Sequence, residues 1–300
     1  MENRTWVASS SQYLIPALLL CVILSLLARP LQQTLARFAR ARRERIFLAP
    51  AVLSLLFAAV LWSRGILTPA PVGLILAYTF IPTVLAWAQR AKPVVATDFA
   101  VILLLWLPLE FAVGQSFFPR PHQGLVHSVA YGIAILLALW LFLIFRDLPG
   151  MKYNPPQWPR DLLSPLAGYA VAAPILIALG LWLGFIQPFH VPPSLTAGFV
   201  LTRFLVILAA TAIPEEILFR ALLQNALMQK LGFSNFVLAL ASLIFGCAHL
   251  NNGGGPPNWR YAIMASIAGF AYGKVFQKSS SVISSALLHA LVNTSKHVFF

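Results

Sequence analysis

The chain alternates between long apolar runs and short polar links. The runs are continuous for about 17–20 residues and lack strict two-residue alternation, which predicts membrane-spanning helices and not barrel strands. Candidate spans read as Tyr13–Ala28, Ile46–Trp62, Val72–Ala88, Phe99–Gly114, His127–Phe145, Leu166–Ile186, Ala197–Ile213, Phe236–Leu250, Tyr261–Phe276 and Val282–Phe299. Proline and glycine collect in the links, as at Pro119–Pro121 and Gly150–Pro159, where helix breakers belong. The pattern predicts an all-α, polytopic transmembrane helical bundle of about ten helices, integral to a membrane.

Composition supports that picture. Of the 300 residues, 59% are hydrophobic and only 10% charged, against about 25% charged in soluble domains. A net charge of +13 would suggest nucleic acid in a soluble protein. Here the basic residues fall between apolar segments, so no nucleic-acid partner is expected. The link Arg29–Arg45 holds Arg29, Arg37, Arg40, Arg42, Arg43 and Arg45 against one acid, Glu44. It reads as a positive-inside topology signal, compatible with binding anionic lipid. Alternation then puts Arg90, Lys92, Lys152, Arg160, Lys230, Lys274 and Lys278 on the same side and the N-terminus outside. Cys21 and Cys247 both sit in apolar runs, so no disulfide is implied and both read as small core residues.

The first six spans hold little chemistry. Glu110 is the acid inside one of them, near its end, where pairing with a neighbour is expected. His122, His127 and His190 sit at links and read as interfacial. Gly180-x-x-x-Gly184 and Gly269-x-x-x-Gly273 read as packing features that let helices approach closely.

One stretch breaks the avoidance of charge: Pro214-Glu215-Glu216-Ile217-Leu218-Phe219-Arg220. Each charge at membrane depth costs about 2.5–3.5 kcal/mol on insertion scales, so three together call for a reason. Glu216 and Arg220 are four apart on one helix face and can form an ion pair. Glu215 lies about 100° around the helix and has no partner in the segment. It is the candidate reactive carboxylate.

Two hairpins bring later residues toward it. The helix from Ala197 runs on to Lys230, and Leu231-Gly232-Phe233-Ser234 reads as a turn, with Gly232 ending one helix and Ser234 capping the next. Glu215 stands about 17 residues before that turn and His249 about 16 after it, so an antiparallel pair brings them level. A second hairpin turns at Gln277–Ser281 and carries His289 and Asn293, again four apart. Phe245 and His249 form the third such pair. A carboxylate with a histidine can activate water, and a histidine with a carboxamide can donate to an oxyanion. Glu215, His249 and His289 could equally hold a zinc ion with one open position. Spacing alone leaves both open.

The set Glu215-Glu216-x-x-x-Arg220, Phe245-x-x-x-His249 and His289-x-x-x-Asn293 resembles the CPBP family. Its members are the CAAX-protease and bacteriocin-processing (Abi) intramembrane endopeptidases, also called type II CAAX prenyl endopeptidases. The match covers about Ala197–Lys296. The resemblance implies a C-terminal catalytic bundle in residues 165–300, with its motif-bearing core at 197–296, behind an N-terminal helical scaffold in residues 1–164. It implies Glu215 and His249 as the water-activating pair, and His289 and Asn293 as the oxyanion hole. Glu216, Arg220 and Phe245 become supports. It implies a membrane-associated protein or peptide as substrate, the lipid bilayer as surroundings, and a prokaryotic cell membrane as location. The metal-free mechanism is favoured over zinc. The competing readings are a proton- or ion-coupled transporter, and a catalytically silent immunity or partner protein that keeps the site for folding.

Overall fold

The computed structural model describes residues 11–89, 94–193, 195–253 and 255–300, with backbone alone for 11–13. The polar head before residue 11, and Arg90 and Lys92, lie outside the described residues. Within them the fold is all-helical, with no strand. In chain order the helices are α1 (Ser11–Ser25), α2 (Arg29–Ala41), α3 (Arg43–Ser63), α4 (Pro69–Ala88), α5 (Ala96–Glu110) and α6 (Arg120–Phe145). There follow α7 (Arg160–Trp182), α8 (Ala197–Leu231), α9 (Asn235–Cys247), α10 (Trp259–Lys278) and α11 (Val282–Phe299).

Five of these, α3, α4, α6, α7 and α8, are long and apolar enough to cross a membrane; the bent pair α1–α2 makes a sixth if it counts as one span. Ten spans are not reached. The 15-residue α5 and 13-residue α9 are short, and the polar residues of α10 and α11 lower their hydropathy. Length and apolar character together identify an integral membrane protein. The arginine-rich link is itself largely helical: α2 turns 91° from α1. Two of its arginines tie other helix ends. Arg40 donates to the Ile144 carbonyl and pairs with Asp147, and Arg43 donates to the carbonyls of Trp87 and Gln89 at the end of α4.

Both cysteines are exposed at the protein surface, not in the core. A helix in lipid is apolar on every side, so an apolar run does not mark its inner face.

Local chemistry places the C-terminal helices. Thr196, Ser234, Asn258 and Ser281 cap α8, α9, α10 and α11 with side-chain oxygens that accept backbone N–H bonds. Gly232 ends α8 at φ +95°, a conformation that suits glycine. Within α8 the Leu208–Ala212 and Ile217–Gln224 segments are π-helical and flank Ile213–Glu216. Pro214 lacks an N–H and crowds the preceding turn, which accounts for a widened helix at this point.

Helix α10 packs along α9, and α7 packs against α10 and α11. A Cβ on Gly269 would come 2.7 Å from Phe245 and 3.1 Å from Arg220, and one on Gly273 would meet Leu238 and Gln224. The second glycine pair thus serves close packing. In the first, Gly180 packs against Met264, but Gly184 lies beyond α7 at φ +62° and makes a turn. Helix α5 docks on α8 through Trp106, edge-on to Phe219 at 5.1 Å.

Asp161, at the start of α7 and fully buried, ties that helix to the α10–α11 turn. Its carboxylate accepts from the backbone N–H groups of Gln157 and Ser280, each at 2.7 Å, and from the Ser280 hydroxyl. Asp161→Ala is expected to destabilise the protein by about 1–3 kcal/mol, since two part-buried N–H groups lose their charged acceptor. Thermal unfolding in detergent measures this, and Asp161→Asn should recover part of the loss.

Candidate functional site

The site forms where α8, α9, α10 and α11 meet. Glu216 and Arg220 are fully buried and paired, with Arg220 Nε 3.1 Å from Glu216 Oε2. Arg220 also reaches Gln224 Oε1 at 3.4 Å and lies over the Phe245 ring at 4.8 Å. Gln224 in turn donates to the Gly273 carbonyl. The ion pair expected from spacing is therefore the buried floor of the site.

Glu215 faces two histidines. Its Oε2 lies 4.0 Å from His249 Nε2 and 3.9 Å from His289 Nε2, and that oxygen is buried without a hydrogen-bond partner. The hairpin register thus brings Glu215 level with His249, and the second hairpin adds His289. Both imidazoles are held from behind. His249 Nδ1 lies 2.9 Å from the Phe245 carbonyl, which only accepts, so Nδ1 carries the proton and Nε2 points toward Glu215. His289 Nδ1 lies 3.0 Å from Glu216 Oε1. Glu216 therefore bridges Arg220 and His289, a link that the sequence did not disclose.

Aromatic rings fix the imidazole planes. His289 stacks on Tyr272 with centroids 4.6 Å apart, and His249 lies 4.8 Å from Tyr261. Phe245 touches both histidines edge-on. Tyr261 and Tyr272 were missed from sequence, although Tyr272 sits beside Gly273 inside the small-residue motif. Glu110 at the end of α5 is also nearby: it hydrogen-bonds with Trp106 and with Asn251, two residues past His249.

One half-open cavity is lined by His249, His289, Asn293, Tyr261 and Tyr272 together with apolar side chains of α7, α10 and α11. Asn293 thus shares a chamber with the histidines. Among the described residues, no group of three or more His, Cys, Asp or Glu side chains is placed to hold a metal ion.

Two oriented imidazoles and a carboxamide line one chamber of a helical membrane protein, and the Glu215 carboxylate, which is not part of that lining, lies 4.0 and 3.9 Å from the two imidazoles. Residues 196–295 match the family model Rce1-like, described as type II CAAX prenyl endopeptidase Rce1-like. That match covers a third of the chain; it supports a likeness to the CAAX-protease, or CPBP, family and an intramembrane endopeptidase of the CAAX type in general. No curated protein and no solved structure matches the chain.

Proposed function

We propose that the protein hydrolyses a peptide bond of a membrane-associated protein or peptide, with water activated by Glu215 and His249 and the oxyanion held by His289 and Asn293. The observation that carries this is the partnerless Glu215 oxygen about equally far from two imidazole nitrogens, at 4.0 and 3.9 Å. Two groups bridged by one water, each at about 2.8 Å, stand roughly 4.5 Å apart at a tetrahedral angle and roughly 4 Å apart when that angle closes to about 90°. A water in that place gives one hydrogen to Glu215 and one to the His249 Nε2 lone pair, which turns its oxygen lone pair outward.

The water oxygen bonds to the carbonyl carbon as Glu215 takes a proton. The negative charge collects on the former carbonyl oxygen, where the Asn293 amide donates a hydrogen bond. For His289 to donate there as well, its ring must carry protons on both nitrogens. That cation would lie against the Glu216 carboxylate. With Glu215 and Glu216 negative and Arg220 and His289 positive, the cluster is neutral overall, which suits a low-dielectric interior. Collapse of the intermediate breaks the carbon–nitrogen bond, and the proton held by Glu215 passes to the leaving amine. No metal takes part in the proposed steps.

Incubating the purified protein with a peptide library, with and without chelator, tests the proposal. Internal peptide cleavage that persists in chelator is expected. Loss of cleavage on metal removal would overturn the metal-free route, and no cleavage of any peptide would overturn the hydrolase reading.

A further inference from the structure

The fold divides the arginines between α1 and α3 into two sets. Arg40 and Arg43 hold the ends of other helices, and Arg45 donates to the Phe38 carbonyl with its guanidinium 4.5 Å above the Phe38 ring. Arg29, Arg37 and Arg42 are exposed, and among the described residues their side chains have no hydrogen bond, ion pair or ring contact. Against all six stands one acid in the segment, Glu44. Positive charge is therefore left over here, at a place where the fold makes no use of it.

Helix α2 sets these charges in a row. Leu31, Leu35, Phe38 and Ala39 follow helical spacing on one side; Leu31 and Leu35 pack on the core and Ala39 is buried. Phe38 is left exposed on that apolar side, as expected of a ring lying against acyl chains. Arg29, Gln33 and Arg37, each four apart, occupy the opposite side and are all exposed, and Arg42 follows the last residue of the helix. The 91° turn out of the apolar α1 lays α2 along the membrane surface. An amphipathic helix so placed, with a basic polar side, complements a surface of negative charge. From Arg29 to Arg42 the row runs about 20 Å, too long for one phosphate and suited to several headgroups side by side. Guanidinium groups match phosphate oxygens in pairs, which lysine does not.

We propose that Arg29, Arg37 and Arg42 on α2 form a docking surface for anionic phospholipid headgroups and gather such lipids against the N-terminal helices. The proposal asks nothing of Glu215 or its partners, so it stands apart from the endopeptidase reading.

Gln33 lies between the arginines and is exposed, which makes it the place for a local probe. The full chain, with Cys21→Ala and Cys247→Ala, carries a fluorophore on Gln33→Cys and is reconstituted in phosphatidylcholine bilayers. Quenching is compared between phosphatidylglycerol and phosphatidylcholine, each brominated near the top of its acyl chains. Phosphatidylglycerol is expected to associate about 3- to 10-fold more strongly at this position, and high salt should weaken the preference. Replacing all three arginines with glutamine should bring the ratio to about one, whereas lysine at all three should keep most of it. Each single glutamine variant should remove part, and gel filtration confirms that the variants fold. Arg64→Gln, at the far end of α3, should leave the ratio unchanged. Equal quenching by the two lipids overturns the proposal, as expected if the arginines serve an acidic protein partner instead. A preference that survives the triple glutamine variant overturns it too. So does loss of the preference in inorganic phosphate beyond that in chloride of equal ionic strength, which would assign the site to free phosphate.

Discussion

Glu215→Gln should abolish peptide cleavage, lowering kcat by at least about 10³-fold, with no change in thermal unfolding. The substitution keeps the shape of the side chain but removes its ability to take a proton, and a positioned base contributes about 10²–10⁴-fold. Stability is spared because Glu215 Oε2 has no hydrogen-bond partner and the side chain is about 20% exposed, so the fold asks little of it. The measurement is initial rates on the best peptide from the library, alongside an unfolding curve in the same detergent. A Glu215→Gln protein that cleaves at near wild-type rates removes the carboxylate from the chemistry, and the account of the site goes with it.

Arg220→Ala is expected to fail at an earlier step, by preventing accumulation of folded protein. The guanidinium is fully buried and compensates Glu216, which in turn holds His289. Removing one member of a buried pair leaves an unpaired charge, at a cost of about 3–5 kcal/mol. That is a large share of the 5–15 kcal/mol that separates folded from unfolded domains. Arg220→Lys should be intermediate, because a point charge cannot reach Glu216 and Gln224 while lying flat over Phe245. Size-exclusion profiles and thermal unfolding in detergent check this. A monodisperse Arg220→Ala protein with an unchanged midpoint shows that the pair is not what holds the floor of the site.

Much of the site was legible in the sequence because membrane helices make charge conspicuous. Glu215, Glu216 and Arg220 stand out against apolar neighbours, and the Gly232–Ser234 turn sets a register that counting residues can follow. Other features depend on side-chain geometry that spacing does not encode. Whether Glu216 serves Arg220 alone or also His289 depends on how α11 crosses α8, which residue spacing within either helix does not encode. The π-helical stretches around Pro214 change which way successive residues face, and only the proline hints at them. Tyr261 and Tyr272 look like any interfacial or core aromatics until the imidazoles they touch are in place. Which helices cross the membrane is hard to read from sequence for a related reason: an apolar run signals burial but does not say whether lipid or protein provides it. Helix α9 belongs to the second case in part, with Val237, Leu238, Ala241 and Phe245 covered by neighbours while Phe236 and Leu243 face outward.

Helix α8, at 35 residues, is about 50 Å long, while the hydrocarbon layer of a bilayer is about 30 Å thick. Such hydrophobic mismatch is met by tilting, by kinking, or by letting one end emerge. The polar end around Gln229 and Lys230 favours emergence there. The depth of Glu215 then follows the thickness of the surrounding lipid, so, on the proposed hydrolytic role of Glu215, acyl-chain length becomes a control on how far below the headgroups a bond would be cut.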